Sequence, residues 1–222
     1  MPSLQQALPI RIVSFFRQLR LLLFLPDRFF AGRSARSGDL KIPFLIVFGL
    51  ALVHIGGEYG MVTALIRSLD IGNPSMYSII YLNLFAIILS PFLMWVYYSA
   101  VFYGISYLYK GQGTFFRTLA YVGYGCVPLI IGILLLLIIF QYISIPVQDY
   151  FMPSHVAAHR VIKSLINAGI TIFVLLWSGF IWTSGMRHAR GLSLRQAGVT
   201  VFVPVGLAIF IEIWWLLIKL IV

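Results

Sequence analysis

Five long apolar runs, at about 42–66, 77–109, 116–143, 161–186 and 197–222, set what this chain can fold into. A hydrocarbon slab about 30 Å thick needs roughly 20 apolar residues per helix, and each run is long enough. Lipid offers no partner for backbone N–H and C=O groups, so the runs are expected to be helical. They lack the alternating polarity of barrel strands. With 61% apolar residues, 10% charged residues and a mean hydropathy of +0.98, the chain carries more apolar surface than a soluble core absorbs. The expected fold is all-α, a polytopic transmembrane bundle of five helices.

Basic residues are sorted between the runs. The N-terminal segment holds Arg11, Arg17, Arg20, Arg28, Arg33, Arg36 and Lys41, the second connection Lys110 and Arg117, and the fourth Arg187, Arg190 and Arg195. The first connection has Arg67 against Asp70, the third Arg160 and Lys163 against Asp149, and the tail Lys219. Cytoplasmic loops retain Lys and Arg, so the N-terminus is expected in the cytoplasm and the C-terminus outside, in the cell membrane. The net charge of +10 then reflects topology and attraction to anionic headgroups. A nucleic-acid partner would need a basic face on a soluble fold, so none is expected.

Residues 1–41 form a basic cytoplasmic or interfacial segment and 42–222 the transmembrane domain. From Leu4 to Phe24 apolar residues recur at helical spacing among arginines, which predicts a helix lying in the interface. Leu21 to Leu25, before Pro26, is too short for the apolar core of a cleaved signal. Pro43 falls in the first turn of span one, where a missing N–H is harmless. Span two would be about 50 Å long as one helix, with Pro91 as its expected kink. Gly123, Gly125 and Pro128 should loosen span three, and Ser193 with Gln196 forms a capping-box pattern before span five. Cys126, the single cysteine, reads as a packing residue.

The Pro26-Asp27-Arg28-Phe29-Phe30 segment, the Gly-Tyr-Gly-Cys-Val-Pro run at 123–128 and the turn at Gly191-Leu192-Ser193 resemble the Yip domain family. Its Tyr-Gly-x-x-Pro element corresponds to Tyr124, Gly125 and Pro128. The resemblance covers roughly residues 22–222, and Pro26, Phe29, Phe30, Tyr124, Gly125, Pro128 and Gly191 are the residues that carry it. It implies a five-span protein whose eukaryotic relatives act in vesicle trafficking and Rab GTPase interaction through a long cytosolic N-terminal region. The short segment here points to the compact prokaryotic branch without that GTPase interaction. The implied role is a non-enzymatic binding or membrane-organising scaffold, with lipid, a membrane-protein partner or a second copy as its partner.

The competing class is a small transporter or ion-conducting protein. Ionisable groups inside a bilayer are functional suspects, and this chain has His54 and Glu58 on span one and Glu212 on span five. Counting inward at 1.5 Å per residue puts Glu58 about 12 Å and Glu212 about 15 Å deep, with Asn83 and Asn167 about 8 Å deep. These residues could line a polar cavity in the outer half, or they could hydrogen-bond between helices and fix the bundle. His155 and His159, with Asp149, supply at most three ligands from one loop, so no metal is expected. No zinc-helix, nucleophile-elbow or phosphate-loop motif is present, so neither a catalytic activity nor a cofactor is expected.

Overall fold

A computed structural model describes the backbone of residues 4–33, 39–68, 74–142 and 153–221, and the side chains of 13–33, 39–57, 78, 81–140 and 161–220. Every described element is a helix: α1 Leu4–Phe24, α2 Pro26–Ala31, α3 Lys41–Ser68, α4 Pro74–Leu108, α5 Phe115–Tyr124, α6 Val127–Tyr142, α7 Pro153–Arg190 and α8 Leu194–Ile221. Local chemistry sets several boundaries. Pro26 opens α2, and the Thr114 hydroxyl accepts the Arg117 N–H at the start of α5. The capping box forms as the sequence predicts, with Ser193 N–H donating to Gln196 Oε1 at 3.0 Å and Gln196 N–H to Ser193 Oγ at 3.3 Å.

The expected run at 116–143 is broken into α5 and α6. The Gly125 and Cys126 N–H groups turn back to Val122 and Gly123, three residues away, instead of continuing the α-helical ladder. Packing just before the break is close: a Cβ on Gly123 would come within 2.7 Å of Pro43 and 3.0 Å of the Trp95 indole nitrogen. That nitrogen donates to the Leu119 carbonyl at 2.7 Å.

The helices alternate in direction. Phe44 meets Phe92 while His54, further along α3, meets Ile87, so α3 and α4 are antiparallel. Gly132 faces Val174 while Gly125 faces Trp182, so α5–α6 and α7 are antiparallel as well. The α7–α8 hairpin turns at Gly191, whose φ of +65° lies where side chains with a Cβ are strained. One end of the bundle therefore collects the starts of α3, α5 and α8 and the finishes of α4 and α7, with α2 beside them.

Four helices, not the expected five, are long and apolar enough to cross a membrane among the described residues: Tyr81–Leu108, Phe115–Phe140, Val161–Arg190 and Leu194–Leu220. In α3 the apolar stretch among those residues is Lys41–Gly57. The α3 helix itself runs on to Ser68, 28 residues in all.

Candidate functional site

The motif segments, distant in sequence, meet at the end of the bundle where the basic connections gather. Phe30, fully buried, stacks on Tyr121 with ring centroids 4.8 Å apart, and Phe29 sits edge-on to Tyr124 at 5.3 Å. Gly185 of α7 makes room for the pair, since a Cβ there would touch the Phe30 ring at 3.4 Å. Trp177 of α7 donates to the Leu23 carbonyl at 3.0 Å, one of the last-turn acceptors that α1 leaves open. Pro26 and Pro128 are buried on the two sides of this junction.

Polar contacts complete it. Asp27 accepts from His188 Nε2 at 2.9 Å and from Arg187 Nη1 at 3.0 Å, joining α2 to the basic finish of α7 across about 160 residues of chain. Arg117 Nη2 donates to the His188 carbonyl at 2.9 Å. Arg33 donates to the Tyr124 hydroxyl and lies over the Phe29 and Tyr124 rings at 4.5 and 4.9 Å. Arg190, only 1% exposed, donates through Nε to Ser106 Oγ at 2.9 Å and through its two terminal nitrogens to the Gly113 and Gly111 carbonyls. Its own carbonyl accepts the Gln112 N–H at 2.8 Å, so α7 grips the α4–α5 connection from two sides.

The hydrogen bond from His188 holds the Asp27 carboxyl below its ordinary value of 3.8; Arg187 adds to this, and partial burial acts the other way. A carboxyl whose folded value is depressed contributes its full stabilisation above the unfolded value and loses it as pH falls through the folded one. Asp27→Asn is therefore expected to melt below the parent protein at neutral pH. The gap should close below about pH 4, as both are scanned by thermal unfolding in detergent. With the Asp27 side chain 54% exposed, solvent keeps the effect modest and salt should shrink it.

The ionisable residues of the runs are placed differently. His54 and Glu212 are partly buried on α3 and α8, helices not in extensive contact with each other, while Asn83 is exposed on α4 and Asn167 partly buried on α7. The side chain of Glu58 lies outside the described residues, as do those of His155 and His159 and all of Asp149. His54 borders a cavity of about 260 Å³ between α3, α4, α6 and α7 that Asn83, Asn167 and Glu212 do not line. Its imidazole has a specific structural partner. Pro91 has no N–H for the Ile87 carbonyl four residues before it, and that carbonyl instead meets Ser90 Oγ at 3.1 Å and His54 Nδ1 at 3.4 Å.

A second, larger cavity of about 540 Å³ lies between α1, α3 and α6, with Arg33 and Tyr124 in its wall. Sequence reasoning missed this space, the Asp27 pairing and the buried role of Arg190. A cation next to Gly191 at the finish of an apolar helix was the available signal for the last of these.

In comparisons with known proteins, the sequence model described as the Yip1 domain matches residues 20–216. An uncharacterised protein of the archaeon Methanocaldococcus jannaschii is 30% identical over 129 residues, covering 56% of this chain and 84% of the relative. No solved structure matches the chain.

Proposed function

The chain belongs to the Yip1 domain family, and from that premise we propose that it is a non-enzymatic scaffold of the cell membrane, binding and organising lipid or membrane-protein partners. The observation that carries this reading is the gathering of Arg28, Arg33, Lys110, Arg117, Arg187 and Arg195 at the end of the bundle built from the family motifs. Each basic residue near an anionic leaflet contributes about 1 kcal/mol of attraction, so this end is the cytoplasmic one. α1 lies in that interface: Phe15, Phe16 and Phe24 are exposed on the same helix as the exposed Arg17 and Arg20. In this reading α3 is the fifth crossing, and the C-terminus is outside.

Co-purification and reconstitution test the proposal. The protein should be recovered with a membrane partner or as a homo-oligomer, and should remodel vesicles containing anionic lipid. Removal of residues 1–20, which leaves the buried Phe29 and Phe30 in place, should abolish remodelling. A protein with no partner, no self-association and no effect on vesicles, but with solute or proton flux that falls in Glu58→Gln and Glu212→Gln, would overturn it.

A further inference from the structure

α1 makes its extensive contacts with α2 and meets the bundle through its last turn, where Leu22 and Leu23 are buried, and a 540 Å³ groove opens between it, α3 and α6. The volume is in the range of small-molecule sites. Its lining changes character along its length. At the basic end it offers the Arg33 guanidinium beside the Tyr124 hydroxyl; further in it is walled by Leu19, Leu22, Ile46, Val127 and Ile130. Tyr124 to Ile130 is six residues, so the apolar wall runs about 9 Å from the basic end toward the middle of the bundle.

Arg33 is held in place but not neutralised. Its one hydrogen bond among the described residues goes to Tyr124, and two aromatic rings flank it. Asp27 is paired with Arg187 and His188, and Asp39, which accepts the Lys41 N–H, makes no ion pair with Arg33 among the described residues. A guanidinium has five N–H donors, and the Tyr124 oxygen that accepts from it keeps its own proton to donate. Two aligned donors of this kind suit a phosphate oxygen pair.

We infer that this groove holds one anionic glycerophospholipid, with its phosphate on Arg33 and Tyr124 and an acyl chain along Ile46, Val127 and Ile130. A lipid in this pose has its headgroup at the basic end and its chain in the hydrocarbon, the orientation of the surrounding leaflet. Phe29 and Tyr124, two of the motif residues, would then form the collar at its neck. The inference rests on the proposed function for the membrane setting alone. Retention of lipid in detergent is measured apart from vesicle remodelling, so either can fail without the other.

The test is native mass spectrometry of the full chain in detergent, titrated with phosphatidylglycerol or phosphatidylcholine. One phosphatidylglycerol should bind in preference to phosphatidylcholine. Arg33→Gln should weaken that binding about tenfold or more, and Tyr124→Phe by less. Ile46→Trp, which fills the groove from a site remote from the charge, should abolish it, while Lys219→Gln, exposed at the far finish of α8 and outside the basic cluster, should leave it unchanged. Thermal melting of each variant establishes that it is folded, and Arg33→Lys stands in where Arg33→Gln is not. Equal binding of the two lipids, or equal losses in Arg33→Gln and Lys219→Gln, would identify the lipid as non-specific and overturn the inference. So would undiminished binding in folded Ile46→Trp.

Discussion

Arg190→Ala is expected to destabilise the bundle by about 2–4 kcal/mol and to release the α4–α5 connection. Arg190 is nearly fully buried and meets no carboxylate among the described residues; its charge is satisfied by Ser106 Oγ, two loop carbonyls and the face of Tyr103, 4.2 Å from the guanidinium carbon. It is also the last residue of α7, where the helix dipole favours a cation. Removing the side chain takes a donor from the Ser106 hydroxyl oxygen and from the Gly111 and Gly113 carbonyls together. Gly113 is exposed and its carbonyl can turn to water, which holds the expected loss below the sum of the separate hydrogen bonds. The connection also holds one strained residue, Lys110 at φ +55°, whereas Gly113 adopts φ +95° freely. Arg190→Lys keeps the charge but replaces a planar fork with a point donor, so an intermediate loss is expected. Thermal unfolding in detergent reads the stability, and hydrogen exchange at residues 109–114 reads the loop. If Arg190→Ala melts with the parent protein and its loop stays protected, the clamp contributes nothing.

The helices were legible because apolar runs, capping residues and prolines act over short distances. Leu4–Phe24 and the Ser193–Gln196 box needed no tertiary information. The contacts between helices were not legible, and span three shows part of the reason. α6 is apolar all round, so no face of it announces which neighbour it meets. Depth counting was similarly limited. It ranks Glu58 and Glu212 along the membrane normal but leaves the rotation of each helix open, and α3 and α8 do not pack extensively. His54 and Pro91 were each visible as exceptions. Only the fold brings them together, where the proline's orphaned carbonyl accounts for the histidine. The family motif fared better because its segments are the places where helices touch: Phe29 and Phe30 fill the space between α5 and α7, and Gly125 admits Trp182.

That last contact gives the other large expected effect. Gly125→Ala should destabilise the protein by about 1–3 kcal/mol, and Gly125→Val by more. The backbone does not object, since Gly125 has φ −72° and ψ −2°, which alanine adopts readily. The obstacle is the Trp182 indole, which a Cβ would overlap. Trp182 cannot step aside: it is 1% exposed, donates from Nε1 to the Val122 carbonyl at 2.8 Å, stacks on Tyr98 and meets Phe102 edge-on. Trp182→Phe trims the pyrrole ring that occupies the space beside Gly125. It leaves the Val122 carbonyl with the Gly125 N–H at 3.0 Å, so its own cost should be about 1–2 kcal/mol. In the Trp182→Phe background Gly125→Ala should then cost far less than alone, a coupling of about 1 kcal/mol or more in a double-mutant cycle of unfolding free energies. Additive costs would mean that the glycine serves the bend between α5 and α6 and not the indole. Coupled costs would give the glycine of the Tyr-Gly-x-x-Pro element a steric cause, the need to seat a tryptophan from α7 against the break in span three.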